Sequence, residues 1–195
     1  MLQYNHIVHA DIKPDNILVD FDGEKIRSLK LIDFGSAFPF DRTGQVSMST
    51  PEYLAPEVLE FLDNRSRGMM DGGSTQDLLA KMYPWSYDMW SFGTIVLEIL
   101  TGFPLWLSLK GKITSSKGKV ILGTGVFGVP GRVNSKILQK QLAVMKSLPT
   151  TLKKFDSYGC ERDEVLLSLL RGMMDLLPHK RISPKQALEH AFMQV

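Results

Sequence analysis

The sequence predicts a mainly helical α+β fold, in which a helical bundle surrounds one buried helix and carries a small β-hairpin. Three observations support this: a long apolar stretch at about 86–101, apolar residues at helical spacing near the carboxyl end, and two short apolar runs around an Asp-Gly turn. The chain has 195 residues, 44% of them hydrophobic and 23% charged. This composition is typical of a globular domain and argues against a disordered chain, a coiled coil or a collagen-like fibre.

The hairpin is predicted near the amino end. Residues 17–19 and 29–32 are the two apolar runs, and the first leads into the turn signal Asp-Phe-Asp-Gly at 20–23. Two short strands flanking such a turn favour an antiparallel pair. The polar residues 36–52 contain glycine and proline and predict a loop.

The central helix is predicted at about 86–101. Ser86 is expected to cap its amino end, and Gly102 followed by Pro104 to end it. Apolar residues occur on all sides, which predicts burial on all sides. Glu98 lies near the middle of the apolar stretch at 90–107 and argues against a membrane span, because a carboxylate is costly inside a bilayer.

A further helix near the carboxyl end is predicted from apolar residues spaced three and four apart: Leu166, Leu169, Leu170, Met173 and Leu177. Pro178 is expected to stop it. Ser183 then predicts the cap of a last helix, with Pro184 at its first position and Gln186 placed for a capping box.

Two segments are predicted to be loops. Residues at about 62–84 include a stretch rich in Gly, Ser, Asp and Met, from Asn64 to Thr75, which suggests an inserted loop. Residues 110–132 mix Gly, Ser and Lys. They contain G-T-G-V-F-G at 123–128, but the V-P-G that follows favours a plain turn-rich connection over a phosphate-binding loop.

Charge and cysteine content limit the function classes. Lys and Arg total 23 and Asp and Glu total 21, a net charge of +2 that gives no reason to expect nucleic-acid or membrane binding. Cys160 is the one cysteine, so no intramolecular disulfide can form and a reducing compartment is expected. The amino end lacks a secretory signal pattern, which indicates an intracellular protein of the cytoplasm or nucleus.

Acidic and amide residues near the hairpin suggest phosphoryl transfer. Asp11 and Asn16 lie on a turn-rich segment between short apolar runs, and Asp33 follows the second run. One carboxylate can accept a hydroxyl proton, while an amide oxygen and a second carboxylate suit Mg²⁺, which prefers oxygen ligands. Taken singly, each of these residues is better explained as a turn residue, and only their joint spacing favours the chemical interpretation.

Five motifs in order extend the pattern over nearly the whole chain: H-A-D-I-K-P-D-N at 9–16, D-F-G at 33–35, A-P-E at 55–57, D-M-W-S-F-G at 88–93 and H-K-R-I-S at 179–183. The set resembles the carboxyl-terminal lobe of a eukaryotic protein kinase of the Ser/Thr type. The resemblance implies transfer of the γ-phosphate of MgATP to a Ser or Thr hydroxyl of a protein substrate.

The resemblance also implies site roles. Asp11 corresponds to the catalytic base, and Lys13 to the lysine that serine/threonine kinases place beside the transferred phosphate. Asn16 and Asp33 correspond to the magnesium ligands that, with Lys13, hold the cofactor.

Four more residues correspond to structural or substrate-platform positions. Thr50 is expected to contact the catalytic loop near the peptide acceptor, and Asp88 to anchor that loop's backbone. Glu57 and Arg181 are expected to form a buried ion pair.

The chain departs from the family pattern at two places. Ala10 stands where the family usually has an arginine that pairs with a phosphorylated activation-loop residue. Only eight residues precede His9, and they lack the Gly-rich loop and strand lysine of the amino-terminal lobe. The sequence therefore predicts a large lobe that needs a missing amino-terminal lobe for activity; the alternative is an inactive, truncated kinase-like lobe that acts as a protein-binding module.

The 195-residue chain alone is accordingly expected to bind MgATP weakly, because most of the nucleotide pocket is expected to lie outside it. Isothermal titration calorimetry checks this directly. Tight, micromolar binding would contradict the expectation.

Overall fold

The computed structural model describes residues 2, 4–45, 50–66, 68, 83–102, 105–106, 112–114, 120–122, 132–155, 158–160 and 163–194. Its helices are α1 (Pro56–Ser66), α2 (Ser86–Thr101), α3 (Arg132–Lys146), α4 (Leu148–Phe155), α5 (Glu164–Met173) and α6 (Pro184–Leu188). Its strands are β1 (Ile7–Val8), β2 (Ile17–Asp22), β3 (Lys25–Leu31), β4 (Phe38–Pro39), β5 (Lys112–Thr114) and β6 (Val120–Leu122). The predicted fold class, mainly helical with small sheets, is confirmed.

The predicted hairpin is formed by β2 and β3. The two strands pair antiparallel from Ile17 opposite Leu31 to the turn, where Gly23 has a φ of +62°. That left-handed conformation explains the glycine at the turn. At the open end, the amide of Ile32 donates to the carbonyl of Asn16 over 2.9 Å, which joins the segments after β3 and before β2.

The central helix α2 has the predicted extent, and Gly102 ends it with a φ of 78°. Two details of the prediction are wrong. Trp85, without a side-chain cap, precedes the helix, while Ser86 is buried in its first turn. Phe92 and Ile99 are 46% and 61% exposed, so one side of α2 faces outward.

Close approach of α2 to the segment around the end of α5 requires a glycine. A Cβ at Gly93 would lie 2.5 Å from Cγ of Met174 and 3.2 Å from Cβ of Met173. Because both methionines are buried, a larger residue would force the two elements apart. The neighbouring Trp90 stacks on Trp106 with ring centroids 6.5 Å apart, which places the centre of the core at this crossing.

The expectation of a loop over 36–52 is wrong in part. Phe38 and Pro39 form β4, which pairs antiparallel with β1, and short 3₁₀ helices occupy Phe40–Gln45 and Pro51–Tyr53. Phe38 is buried in the core, which explains why this segment forms regular structure. Strands of two residues are too short to give an alternating pattern.

The predicted loops at 62–84 and 110–132 also need correction. Helix α1 continues through Ser66, and Leu59 and Phe61 are buried on its apolar face. Strands β5 and β6 pair antiparallel within the second segment. Residues 69–82 and the G-T-G-V-F-G at 123–128 lie outside the described residues.

The carboxyl-terminal helices follow the sequence signals closely. Helix α5 begins after Asp163, whose side chain accepts hydrogen bonds from two amides of the first turn. It ends at Met173, so Leu177 is not part of it; the amide of Leu177 instead bonds to the side chain of Asp175. The predicted capping box of Ser183 and Gln186 is present in α6. None of the helices in the described ranges combines the length and apolar character needed to cross a membrane.

The predicted ion pair of Glu57 and Arg181 joins three parts of the fold. Two guanidinium nitrogens of Arg181 donate to the two carboxylate oxygens of Glu57 over 2.7 and 2.8 Å. The same guanidinium donates to the carbonyls of Ser86 and Asp175 and lies over the ring of Trp90. The buried guanidinium of Arg181 therefore links α1, α2 and the segment before α6.

Replacing Arg181 with methionine is expected to lower the free energy of unfolding by about 3–5 kcal/mol, because Glu57 would stay in the interior without its counter-ion. Urea unfolding of the Arg181→Met variant measures this loss.

The double variant Arg181→Met/Glu57→Met provides the matched control. It should be more stable than Arg181→Met alone, since no unpaired charge is left buried. Lys185→Met, in the exposed pair with Glu189, should change stability by less than about 1 kcal/mol. A double variant that unfolds more readily than Arg181→Met would contradict this interpretation.

Candidate active site

The carboxylate of Asp11 is surrounded by three side chains. Nζ of Lys13 lies 2.9 Å from its Oδ2, and Nδ2 of Asn16 lies 3.1 Å from the same oxygen. The hydroxyl of Thr50 donates to Oδ1 over 3.2 Å. The structure therefore brings together four of the predicted site residues, although Thr50 is 39 positions from Asp11.

Lys13 forms a bridge within this group. Its ammonium lies 2.9 Å from both the carboxylate of Asp11 and the hydroxyl of Thr50. The side chains of Lys13 and Asp11 are 20% and 10% exposed, so both reach the surface while most of each is enclosed. A cation and a carboxylate are thus held side by side at an accessible position.

Local sequence explains why Asp11, Lys13 and Asn16 converge. Lys13 is extended, and Pro14 begins a single 3₁₀ turn that ends at Asn16. This turn brings Asn16 back over the loop, where its Nδ2 donates to the carbonyl of Asp11 over 2.8 Å. Proline supplies the fixed φ that such a turn needs.

Asp88 holds the start of the same loop. Its two carboxylate oxygens accept hydrogen bonds from the amides of His9 and Ala10, over 2.8 and 3.0 Å. Ala10 has a φ of +62°, a conformation that is unfavourable for a residue with a Cβ. The two hydrogen bonds offset this strain. Burial raises the pKa of Asp88 to about 6, and the hydrogen bonds from the two amides oppose that rise.

His9 connects the loop to the segment after β3. Its Nε2 donates to the carbonyl of Ile32 over 3.0 Å, and its Nδ1 accepts from the amide of Asp11 over 3.3 Å. The ring also packs edge-on against Phe34, with centroids 4.8 Å apart. His9 is fully buried, which confirms its interpretation as a packed, hydrogen-bonded residue.

Asp33 follows directly after Ile32 and is exposed. It has a φ of +61°, and its Oδ1 accepts a hydrogen bond from the amide of Gly35 over 3.1 Å. A Cβ at Gly35 would lie 3.1 Å from that oxygen, so glycine suits this close turn. The contacts of Ile32 with Asn16 and His9 place the backbone of Asp33 at the edge of the Asp11 group.

Asn16 and Asp33 carry the type of oxygen donor that a magnesium ion prefers. The amide nitrogen of Asn16 is engaged by Asp11, which leaves its Oδ1 available as a ligand, and Oδ2 of Asp33 has no hydrogen-bond partner among the described residues. Mg²⁺ is commonly held by one or two protein oxygens together with phosphates and water. Within the described ranges, no group of three or more His, Cys, Asp and Glu side chains could hold a metal alone.

One site contact was not predicted from the sequence. The hydroxyl of Tyr53 donates to Oε2 of Glu98 over 2.7 Å. Burial is the main cause that raises the pKa of Glu98, and the charge of Asp15 adds to it while the bond from Tyr53 opposes it. A carboxylate within an apolar helix was the available signal that Glu98 would have a specific partner.

Comparison with known proteins gives the wider relationship. The family profile described as "Protein kinase domain" matches residues 1–193. The chain belongs to the protein kinase family. It is 27% identical over its full length to "Dual specificity tyrosine-phosphorylation-regulated kinase 2" of Drosophila melanogaster, and covers 25% of that protein. It is 29% identical over 97% of its length to "Mitogen-activated protein kinase MKC1" of Candida albicans, and covers 34% of it.

These relatives are much longer than the matched segment. The chain spans about a quarter to a third of the curated kinases that it matches. The kinase relationship accounts for the fold and for the order of the motifs.

The raised pKa of Asp88 predicts a pH-dependent stability. Its folded-state pKa of about 6 lies above the ordinary value of 3.8, so the folded state binds more protons between these pH values. The contribution of Asp88 to the free energy of unfolding is then fully present below about pH 3.8 and is lost as the pH rises through about 6.

Urea unfolding of the unmodified chain and of Asp88→Asn, from about pH 4 to pH 7, checks this sign. The stability of the unmodified chain relative to the variant should fall over this range. A relative stability that increases with pH would show that the pKa of Asp88 is lowered in the folded state.

Proposed function

We propose that this chain is the large lobe of a protein kinase that transfers the γ-phosphate of MgATP to a Ser or Thr hydroxyl of a protein substrate. Residues 9–16 would form its catalytic loop and residues 33–57 its activation segment. The observation that carries the proposal is the group around Asp11, in which an ammonium, an amide and a hydroxyl each lie 2.9–3.2 Å from one carboxylate.

Asp11 is the proposed base. Its carboxylate is anchored on one side by Asn16 and on the other by Thr50, so its orientation is fixed before a substrate binds. A substrate hydroxyl hydrogen-bonded to this carboxylate would be aligned for attack, and Asp11 would accept its proton as the bond to phosphorus forms.

Lys13 is proposed to offset negative charge on the transferred group. Its ammonium is already 2.9 Å from Asp11 and is partly exposed, which supports a place between the base and an incoming phosphate. Thr50 shares this ammonium and is proposed to orient it.

Asn16 and Asp33 are proposed to hold magnesium, through Oδ1 of the amide and the free oxygen of the carboxylate. Bound there, magnesium would neutralise charge on the nucleotide phosphates. The contribution of the protein is to present these two oxygens beside Asp11, and the hydrogen bonds of Ile32 with Asn16 and His9 support that arrangement.

A second candidate function is a kinase-like lobe that acts as a protein-binding module without catalysis. It is supported by the apolar side chains that the β2–β3 hairpin exposes: Val19, Phe21, Ile26 and Leu29. A contiguous exposed apolar face often marks an interaction surface. Loss of partner binding on substitution of these hairpin side chains, with the catalytic group intact, would favour this candidate.

Asp11→Asn is expected to lower the rate of phosphate transfer by about 10²–10⁴-fold in an active form that contains this chain, because an amide cannot accept the proton. Radiolabelled ATP and a pool of peptides with Ser, Thr and Tyr acceptors measure the rate, and acid hydrolysis of the product identifies the phosphorylated amino acid.

The matched control is Asp20→Asn, since Asp20 is exposed on the hairpin and makes no hydrogen bond to the Asp11 group among the described residues. It should transfer phosphate at the unmodified rate. Undiminished transfer by Asp11→Asn would reject Asp11 as the base, and a product phosphorylated on tyrosine alone would reject the Ser/Thr assignment.

A further inference from the structure

The short turn after Thr50 is fixed to the fold by its main-chain carbonyls. Three successive carbonyls each accept a hydrogen bond from a side chain of a different segment: Glu52 from Trp106, Tyr53 from Ser91 and Leu54 from Gln141. Carbonyls in a turn usually find water or a nearby amide. Here the donors come from positions 38, 54 and 87 residues away, so the turn is held by the surrounding lobe.

Gln141 is the most distant of these donors. It lies on α3 with its side chain fully buried, and its Nε2 donates to the carbonyl of Leu54 over 2.8 Å. Its Oε1 is buried without a hydrogen-bond partner among the residues that the structure describes. A half-satisfied amide contributes little net stability, because the unpaired end carries a desolvation cost that offsets the bond at the other end. Stability alone therefore does not explain a glutamine here.

Hydrogen bonds within the turn connect Leu54 to Thr50. The amide of Leu54 donates to the carbonyl of Pro51, and the amide of Tyr53 donates to the carbonyl of Thr50 over 3.0 Å. Thr50 in turn places its hydroxyl 3.2 Å from Oδ1 of Asp11 and 2.9 Å from Nζ of Lys13. The hydrogen bonds form a continuous connection from α3 to the Asp11 group.

We infer that Gln141 is a positioning residue that acts through the turn at 50–54 to hold the Thr50 hydroxyl against Asp11 and Lys13. The inference rests on the proposed function, in which those contacts orient the base and the cation. The mechanism is local: loss of the Gln141 amide frees the Leu54 carbonyl, and the turn opens more often without unfolding of the lobe.

The test uses the 195-residue chain with Gln141→Met, which keeps the side-chain length and removes the donor. Hydrogen exchange followed by NMR reports the amides of Tyr53 and Leu54, and the rate of acylation by acetic anhydride reports Lys13. Gln139→Met is the matched control, because Gln139 is an exposed glutamine on the same helix.

The Gln141→Met variant should exchange the Tyr53 and Leu54 amides about three- to tenfold faster, the change expected for one lost hydrogen bond. Lys13 should be acylated faster as well. The buried α5 amides of Leu167 and Leu170 should exchange at the unmodified rate, and Gln139→Met should leave all of these rates unchanged.

Unchanged exchange at Tyr53 and Leu54, or an equal increase in α5, would overturn the inference, since the second result is the signature of a general loss of stability. Gln141→Asn, which keeps an amide but shortens its reach, should behave as Gln141→Met does. If neither variant folds, Gln141 is needed for the lobe as a whole and the positioning role is rejected. No readout requires phosphate transfer, so these results are independent of whether Asp11 is a base.

Discussion

The candidate active site depends on the two hydrogen bonds that Asp88 accepts from the backbone of His9 and Ala10. They stabilise the left-handed conformation of Ala10, which turns the chain so that His9 enters the interior and Asp11 remains near the surface. His9 then bonds to Ile32, and Ile32 to Asn16. One carboxylate on the central helix therefore sets the geometry on both sides of the β2–β3 hairpin.

A second set of buried polar contacts fixes the opposite side of the site. Arg181 and Glu57 hold the start of α1, directly after the turn that carries Thr50. Ser91, Trp106 and Gln141 hold the carbonyls of that turn. Asp88 and Ser91 both lie on α2, so the loop at 9–16 and the turn at 50–54 are anchored on the same helix. Their contact through Thr50 is therefore preorganised.

Local signals in the sequence predicted much of the fold. Apolar periodicity predicted the extent of α2 and the position of α5, although α5 ends before Leu177, and turn or capping residues located the hairpin at Gly23 and the start of α6 at Ser183. They failed where the outcome depends on tertiary contacts. The apolar pattern predicted that Phe92 and Ile99 are buried, but it cannot show which element would cover them. Both are exposed in the structure.

The same distinction applies to the site. The order of the motifs predicted one site for four residues, and in the structure their side chains lie together: Asp11, Lys13, Asn16 and Thr50. The bonds from Gln141 to Leu54 and from Tyr53 to Glu98 join residues 87 and 45 positions apart and belong to no local pattern. Long-range polar pairs of this kind become visible only once the chain is folded.

The central proposal is that Asn16 and Asp33 share a single metal site beside Asp11. Titration of the labelled chain with Mn²⁺ and ATP, followed by NMR, tests it most directly. Paramagnetic broadening should reach the Asn16 side-chain amide and the Asp33 carboxyl together, before the exposed carboxyls of Asp20 and Asp22. Broadening that begins at the hairpin carboxyls, or at only one of the two proposed ligands, would contradict the shared site.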